Sequence, residues 1–172
     1  LPKGLFTNRL IIQNPKSKIQ NGMTQRQTWM NTLAKAELKQ LEELVNKLGT
    51  LPSYSFLRSP EIGLAMVRGR AGGTGEPFNL GEITMTRCVV QLESQPGDEA
   101  IAGFGYVAGR SHHHAELAAF CDALLQSPQW CDRIQAEVIQ PLQTKSREQQ
   151  ELKQRQTAAT KVNFFTMVRG EG

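Results

Sequence analysis

The chain of 172 residues, 39% hydrophobic and 21% charged, has the make-up of one soluble globular domain and is too short for two comfortable ones. Its apolar runs fall short of the ~20 residues that a membrane-spanning helix needs. The formal charge of +4 is unevenly held: residues 1–36 carry six Lys or Arg and no acid, whereas residues 37–172 carry fourteen against sixteen acids, a net of −2, which argues against general nucleic-acid backbone binding by the folded part.

Residues 1–22 show no sustained period and contain Pro2 and Pro15. They read as a basic, disordered extension that need not be native coding, ahead of a single domain over 23–172. Their apolar part is too short and broken for a signal peptide, and a cytoplasmic protein is expected. Residues 24–48 are predicted helical. Trp29, Met30 and Leu33 make one apolar face; Leu38, Leu41, Leu44, Val45 and Leu48 make another. A break near 35–37 would let the two faces point differently, and Gly49 with Pro52 ends the pair.

Residues 53–58 and 61–70 read as two strands punctuated by Ser59-Pro60. A glycine-rich turn follows, then a strand over 82–93, a turn at Pro96-Gly97-Asp98 and a strand over 100–109. Ser111 caps a helix over 112–126. Ser127-Pro128 starts another, which Pro141 ends or kinks. Residues 142–160 read as a helix that is polar all round and therefore suited to a partner. The run VNFFTMVR at 162–169 reads as a terminal strand that joins the sheet or meets a partner. The fold class is α+β: an antiparallel sheet of about four to five strands, with helices from the N-terminal and C-terminal regions.

Cys88, Cys121 and Cys131 have no metal-ligand spacing. They read as reduced thiols, and no metal site is expected. The turn Gly72-Gly73-Thr74-Gly75 can offer successive N–H groups to an anion, but it matches neither a Walker loop nor GxGxxG. The alternative is a tight hairpin turn without a ligand. Arg70, Arg87, Arg110 and Arg169 stand at predicted strand ends. If the strands are neighbours, their guanidinium groups could converge on a phosphate or phosphonate. The alternative is ion pairing with Glu76, Glu82 and Glu116. His112, His113 and His114 point in different directions on a helix, so they cannot share one ion. His114 is read as a satisfied, half-buried side chain.

RxGGTGExF at 70–78 with Gly81, Thr84, Thr86 and Arg87, GRxxxHAE at 109–116, FFTMVRG at 164–170 and TQRQTWM at 24–30 together resemble the PhnG family, over about 23–170. That family supplies a subunit of the bacterial carbon–phosphorus lyase core complex. His112 and His113 fall outside the pattern. The resemblance implies action with PhnH, PhnI and PhnL, which together displace adenine from ATP with an alkylphosphonate. It implies a two-fold heteromer in which PhnI is the closest partner, and a separate radical subunit, PhnJ, that later breaks the carbon–phosphorus bond. ATP and alkylphosphonate would be substrates of the complex, with no cofactor bound by this chain alone. The main catalytic pocket is expected on PhnI, with no catalytic residue assigned here. The candidate anion-binding or interface set is Arg70, Gly72, Gly73, Thr74, Gly75, Glu76, Thr86, Arg87, Arg110, His114, Glu116 and Arg169. A stand-alone nucleotide- or phosphate-binding module, a self-sufficient small enzyme and a nucleic-acid binder using residues 1–22 are the competing readings.

Overall fold

The computed structural model describes residues 15–93 and 100–160, with side chains from residue 25 onward. Two helices, α1 (Pro15–Lys35) and α2 (Leu38–Lys47), lead into a three-stranded antiparallel sheet. Its strands β1 (Tyr54–Arg70), β2 (Pro77–Leu92) and β3 (Ala102–Ala108) lie in that order. Then follow α3 (His112–Gln126), the short α4 (Cys131–Ile134), a π-helical turn (Gln135–Ile139) and α5 (Gln140–Ala159). No helix among the described residues is long and apolar enough to cross a membrane.

The helical break falls where expected. Glu37 is extended (φ −72°, ψ 128°), so α2 starts afresh and turns Leu41, Val45 and Leu48 into the core beside Trp29 and Leu33 of α1. Gly49, at φ +76°, takes the left-handed position that ends the pair. Helix α1 begins at Pro15, earlier than the expected start near 24. Residues 1–14 of the expected extension lie outside the described residues.

Three strands are present among the described residues, not four to five. The two segments read as separate strands around Ser59-Pro60 are one strand, β1, whose register shifts between Phe56 and Arg58 and again between Arg58 and Glu61. Pro60 is tolerated because β1 is an edge, where a missing N–H breaks no ladder. The run at 162–169 lies outside the described residues. Strand β2 starts at Pro77 rather than 82, so its hairpin with β1 is pairing from Tyr54↔Leu92 out to Arg70↔Pro77.

Helix α3 lies across one face of the sheet, over Cys88, Val90 and Val107. It approaches closely because both sides are small. A Cβ on Gly103 would stand 2.1 Å from the Ala119 carbonyl, and one on Gly105 would stand 2.0 Å from that of Ala115. Ala115, Ala119 and Ala123 are four apart and form the matching stripe on α3. Among the described residues, the opposite face of the sheet is uncovered where Ile83 and Tyr106 stand exposed.

Pro141 does not end the helical run: it stands in the first turn of α5, where a missing N–H is tolerated. The π-helical turn at Gln135–Ile139 precedes it, which accommodates the missing N–H and keeps the ring off the preceding turn. Beyond buried Leu142, α5 carries exposed residues from 146 to 160, with Leu152 among them. This is the polar helix expected from the sequence, projecting from the body.

Candidate functional site

The motif residues occupy two places. One is the far tip of the β1–β2 hairpin. The other is its root, where β3 hands over to α3.

At the tip, Ala71–Gly73 form a single 3-10 turn, closed by the Gly75 N–H donating to the Ala71 carbonyl at 2.9 Å. Gly72 (φ +59°) and Gly73 (φ +80°) both need the left-handed region, which glycine reaches without strain. A Cβ on Gly75 would press on the Ala71 carbonyl at 2.8 Å. Arg70 reaches back with Nη1 to the Gly75 carbonyl at 3.4 Å. Thr74 and Glu76 are exposed. The glycine density thus explains the turn, which stands exposed at the end of a projecting arm.

At the root, Thr86 is buried and donates its hydroxyl to the Gly109 carbonyl at 2.8 Å. The Gly109 N–H donates to the Thr84 carbonyl at 2.9 Å. These bonds seat the GRxxxHAE segment against β2 and present Arg110 to solvent. The Ser111 hydroxyl accepts from the His114 N–H at 3.3 Å, capping α3 as expected. The His114 ring is buried and its Nε2–H donates to the Leu33 carbonyl at 2.9 Å. That bond ties α3 to the end of α1, the satisfied role read from the sequence. Glu116 accepts from the Tyr54 hydroxyl at 2.5 Å, and its other oxygen lies 3.7 Å from His113 Nδ1. Burial first, then the bond to Glu116, raises the Tyr54 hydroxyl well above its usual range, so Tyr54 stays protonated. Burial also pushes the Cys88 thiol up to about 11, and Cys121 up to about 12 with the Asp122 charge adding to it. Neither is a ready nucleophile.

The arginines do not gather. From Pro77, which faces Arg70, strand β2 runs about 33 Å to Arg87 at 3.3 Å per residue. Arg87 pairs with Glu61 at 2.5 Å, and Arg58 joins the same carboxylate at 3.3 Å. The ion pairs considered for these arginines with Glu76, Glu82 and Glu116 do not form among the described residues. Arg169 lies outside them. No group of three or more His, Cys, Asp or Glu among the described residues could hold a metal ion.

The most heavily bonded side chain was not singled out from the sequence. Asp122 of α3 is fully buried and accepts from five donors. Arg26 gives Nη2 at 2.6 Å and Nε at 3.2 Å, Trp29 gives its indole N–H at 2.9 Å, the Phe104 N–H gives 2.9 Å and Gln126 gives 3.2 Å. Arg26 and Trp29 are the third and sixth residues of TQRQTWM. The available signal was an acid in the middle of the apolar α3 pattern.

The chain matches the sequence model of the family described as phosphonate metabolism protein PhnG over residues 24–170. It is 41% identical, over 153 residues, to the alpha-D-ribose 1-methylphosphonate 5-triphosphate synthase subunit PhnG of Rhizobium meliloti (strain 1021), a match covering 87% of this chain and 92% of the relative. With the motifs in their expected order and both comparisons spanning most of its length, the chain belongs to the PhnG family.

Proposed function

We propose that this chain is an accessory subunit of a synthase that activates phosphonates with ATP in phosphonate catabolism. In the reaction proposed, a phosphonate oxygen attacks the ribose C1′ of ATP. The C1′–N9 bond breaks, and its electron pair leaves with adenine, which takes up a proton. Two anions must approach each other, so positive or N–H donors are needed beside the reacting centre. The main catalytic pocket is assigned to PhnI, the closest partner, with PhnH and PhnL in the same activity and PhnJ acting later on the product. The two-fold heteromer and a cytoplasmic setting belong to the same reading.

The supporting observation is that the RAGGTGE motif makes the exposed tip of an arm, where it serves no core of its own chain. Arg70 and the N–H groups of Gly72 and Gly73 are assigned to anion contact at a subunit boundary, with Thr74, Gly75 and Glu76 beside them. Arg87, about 33 Å from Arg70, and Arg110 are given a separate contact at the arm's root in this reading. The test is adenine release from ATP and methylphosphonate by the reconstituted subunits, with and without this chain. Release that needs this chain together with its partners is the expected result. Release by this chain alone would establish the stand-alone reading instead, and full release in its absence would overturn the proposal.

A further inference from the structure

Among the described residues, nothing covers the outer half of the β1–β2 hairpin. Strand β3 ends at Ala108, opposite Met85, so the ribbon beyond Thr84 is two strands wide. From Leu64 to Arg70 it projects about 20 Å at 3.3 Å per residue. A two-stranded ribbon in water is marginal by itself.

This ribbon nevertheless carries exposed apolar side chains on both faces, with Glu82, opposite Met66, a carboxylate among them. Ile62, Leu64 and Met66 alternate along one face, with Leu64 67% and Met66 51% exposed. Ala65, Val67 and Ile83 take the other, with Ile83 43% exposed. Leu80 and Phe78 add to this second face nearer the tip. Leu80 sits at the register shift between Val67 and Arg68, and its Cδ1 would lie 2.7 Å from a Cβ on Gly69. Beyond the apolar stretch, Arg68 and Arg70 continue the face of Ile62, Leu64 and Met66. Neither arginine is in an ion pair among the described residues.

We propose that this arm inserts into a cleft of a different subunit of the synthase, a cleft with apolar walls on both sides and a carboxylate near its floor to meet Arg68. The inference rests on the subunit reading above and specifies its interface. A second copy of this chain, laid on the arm across a two-fold axis, would bury one face and leave the other in water. A cleft buries both. The outer edge of β1, and that of β2 beyond β3, also offer unpaired backbone groups to strands lining such a cleft. The order along the arm gives it a direction: large apolar side chains nearer the mouth, and the charged Arg68, Arg70 and Glu76 toward the tip.

The test uses the full chain, tagged and co-expressed with PhnH, PhnI, PhnJ and PhnL of the same organism. One variant is Leu64→Asp with Met66→Asp; a second is Ile83→Asp; the control is Leu152→Asp on α5. All four positions are exposed, so each variant is checked for unchanged circular dichroism before use. Wild type and control are expected to co-elute with partner subunits, and each arm variant to lose about tenfold or more of the co-eluting partner. A photo-crosslinker placed at 64 and, separately, at 83 is expected to capture the same partner chain. If the arm variants co-elute like wild type, the arm is not the docking element, while the subunit reading survives. If both crosslinkers capture only a second copy of this chain, the hetero-subunit cleft is overturned. If wild type fails to co-elute with any partner, the subunit reading itself fails and the arm proposal with it.

Discussion

The Trp29 indole N–H meets Asp122 Oδ1 at 2.9 Å, joining residues 93 positions apart in a buried bond. Arg26 completes the grip from the same helix, and its guanidinium lies 5.5 Å from the centre of the Phe104 ring. The carboxylate also takes the outward Phe104 N–H of β3, while Gln126 donates to the Ala102 carbonyl at 2.9 Å. Helix α3 therefore caps part of an open sheet edge with side chains, a defence against unwanted strand pairing.

Asp122→Ala should be among the most damaging single changes. It strands the Trp29 and Phe104 N–H groups and leaves Arg26 without its partner. A loss of about 3–5 kcal/mol is expected, since removing one member of a buried charge network leaves the others uncompensated. Urea unfolding followed by Trp fluorescence measures it. A change below about 1 kcal/mol would mean the network does not hold α1 to α3.

Gly105→Ala should destabilise far more than Gly72→Ala, although the chemistry of the change is identical. At Gly105 the new methyl meets backbone at 2.0 Å, so α3 must move off the sheet. At Gly72 nothing lies within 4 Å, and only the positive φ resists, at a cost of about 1 kcal/mol. Thermal melts of the two variants side by side give the comparison. Equal shifts would contradict the close helix–sheet approach.

The buried thiols set an alkaline limit. In the unfolded chain they titrate near 9.0; in the fold, burial raises Cys88 to about 11 and Cys121 to about 12. A raised folded value means that the stabilisation is complete below pH 9 and is lost as pH climbs through 11 to 12. Stability measured in that window should fall less steeply for Cys121→Ala than for wild type. At neutral pH, native-state alkylation should reach partly exposed Cys131 before Cys88 or Cys121.

Arg87→Gln and Arg70→Gln separate fold from function. The Arg87–Glu61 pair is about half exposed, so its loss should change stability by less than about 1 kcal/mol. Arg70 bonds only a tip carbonyl and should matter as little to the fold. Under the proposed function, each variant assembles normally while adenine release falls. Normal release from an intact complex would remove that residue from anion contact.

Much of the fold was legible because it depends on local periodicity. The break before Leu38, the Gly49 stop, the Ser111 cap and the amphipathic α2 and α3 are short-range properties of the chain. Strand number was less legible. Ser59-Pro60 looks like punctuation locally, yet an edge strand absorbs it because its outer N–H groups have no ladder to serve. The glycine turn was visible as a turn. Its distance from Arg87 was not, since that depends on how far the hairpin keeps pairing.

By itself, the sequence determined the α+β class, the run of helices, the hairpin turn and, through its motifs, the family. Only the tertiary structure decided that Arg26, Trp29, Phe104 and Gln126 converge on Asp122, that His114 serves Leu33, and that the arginines at the tip and root stay apart. Periodicity records which face of an element is apolar. Convergence of polar groups depends on strand register and on how closely helices approach the sheet, and here that approach was set by Gly103 and Gly105 meeting a stripe of alanines.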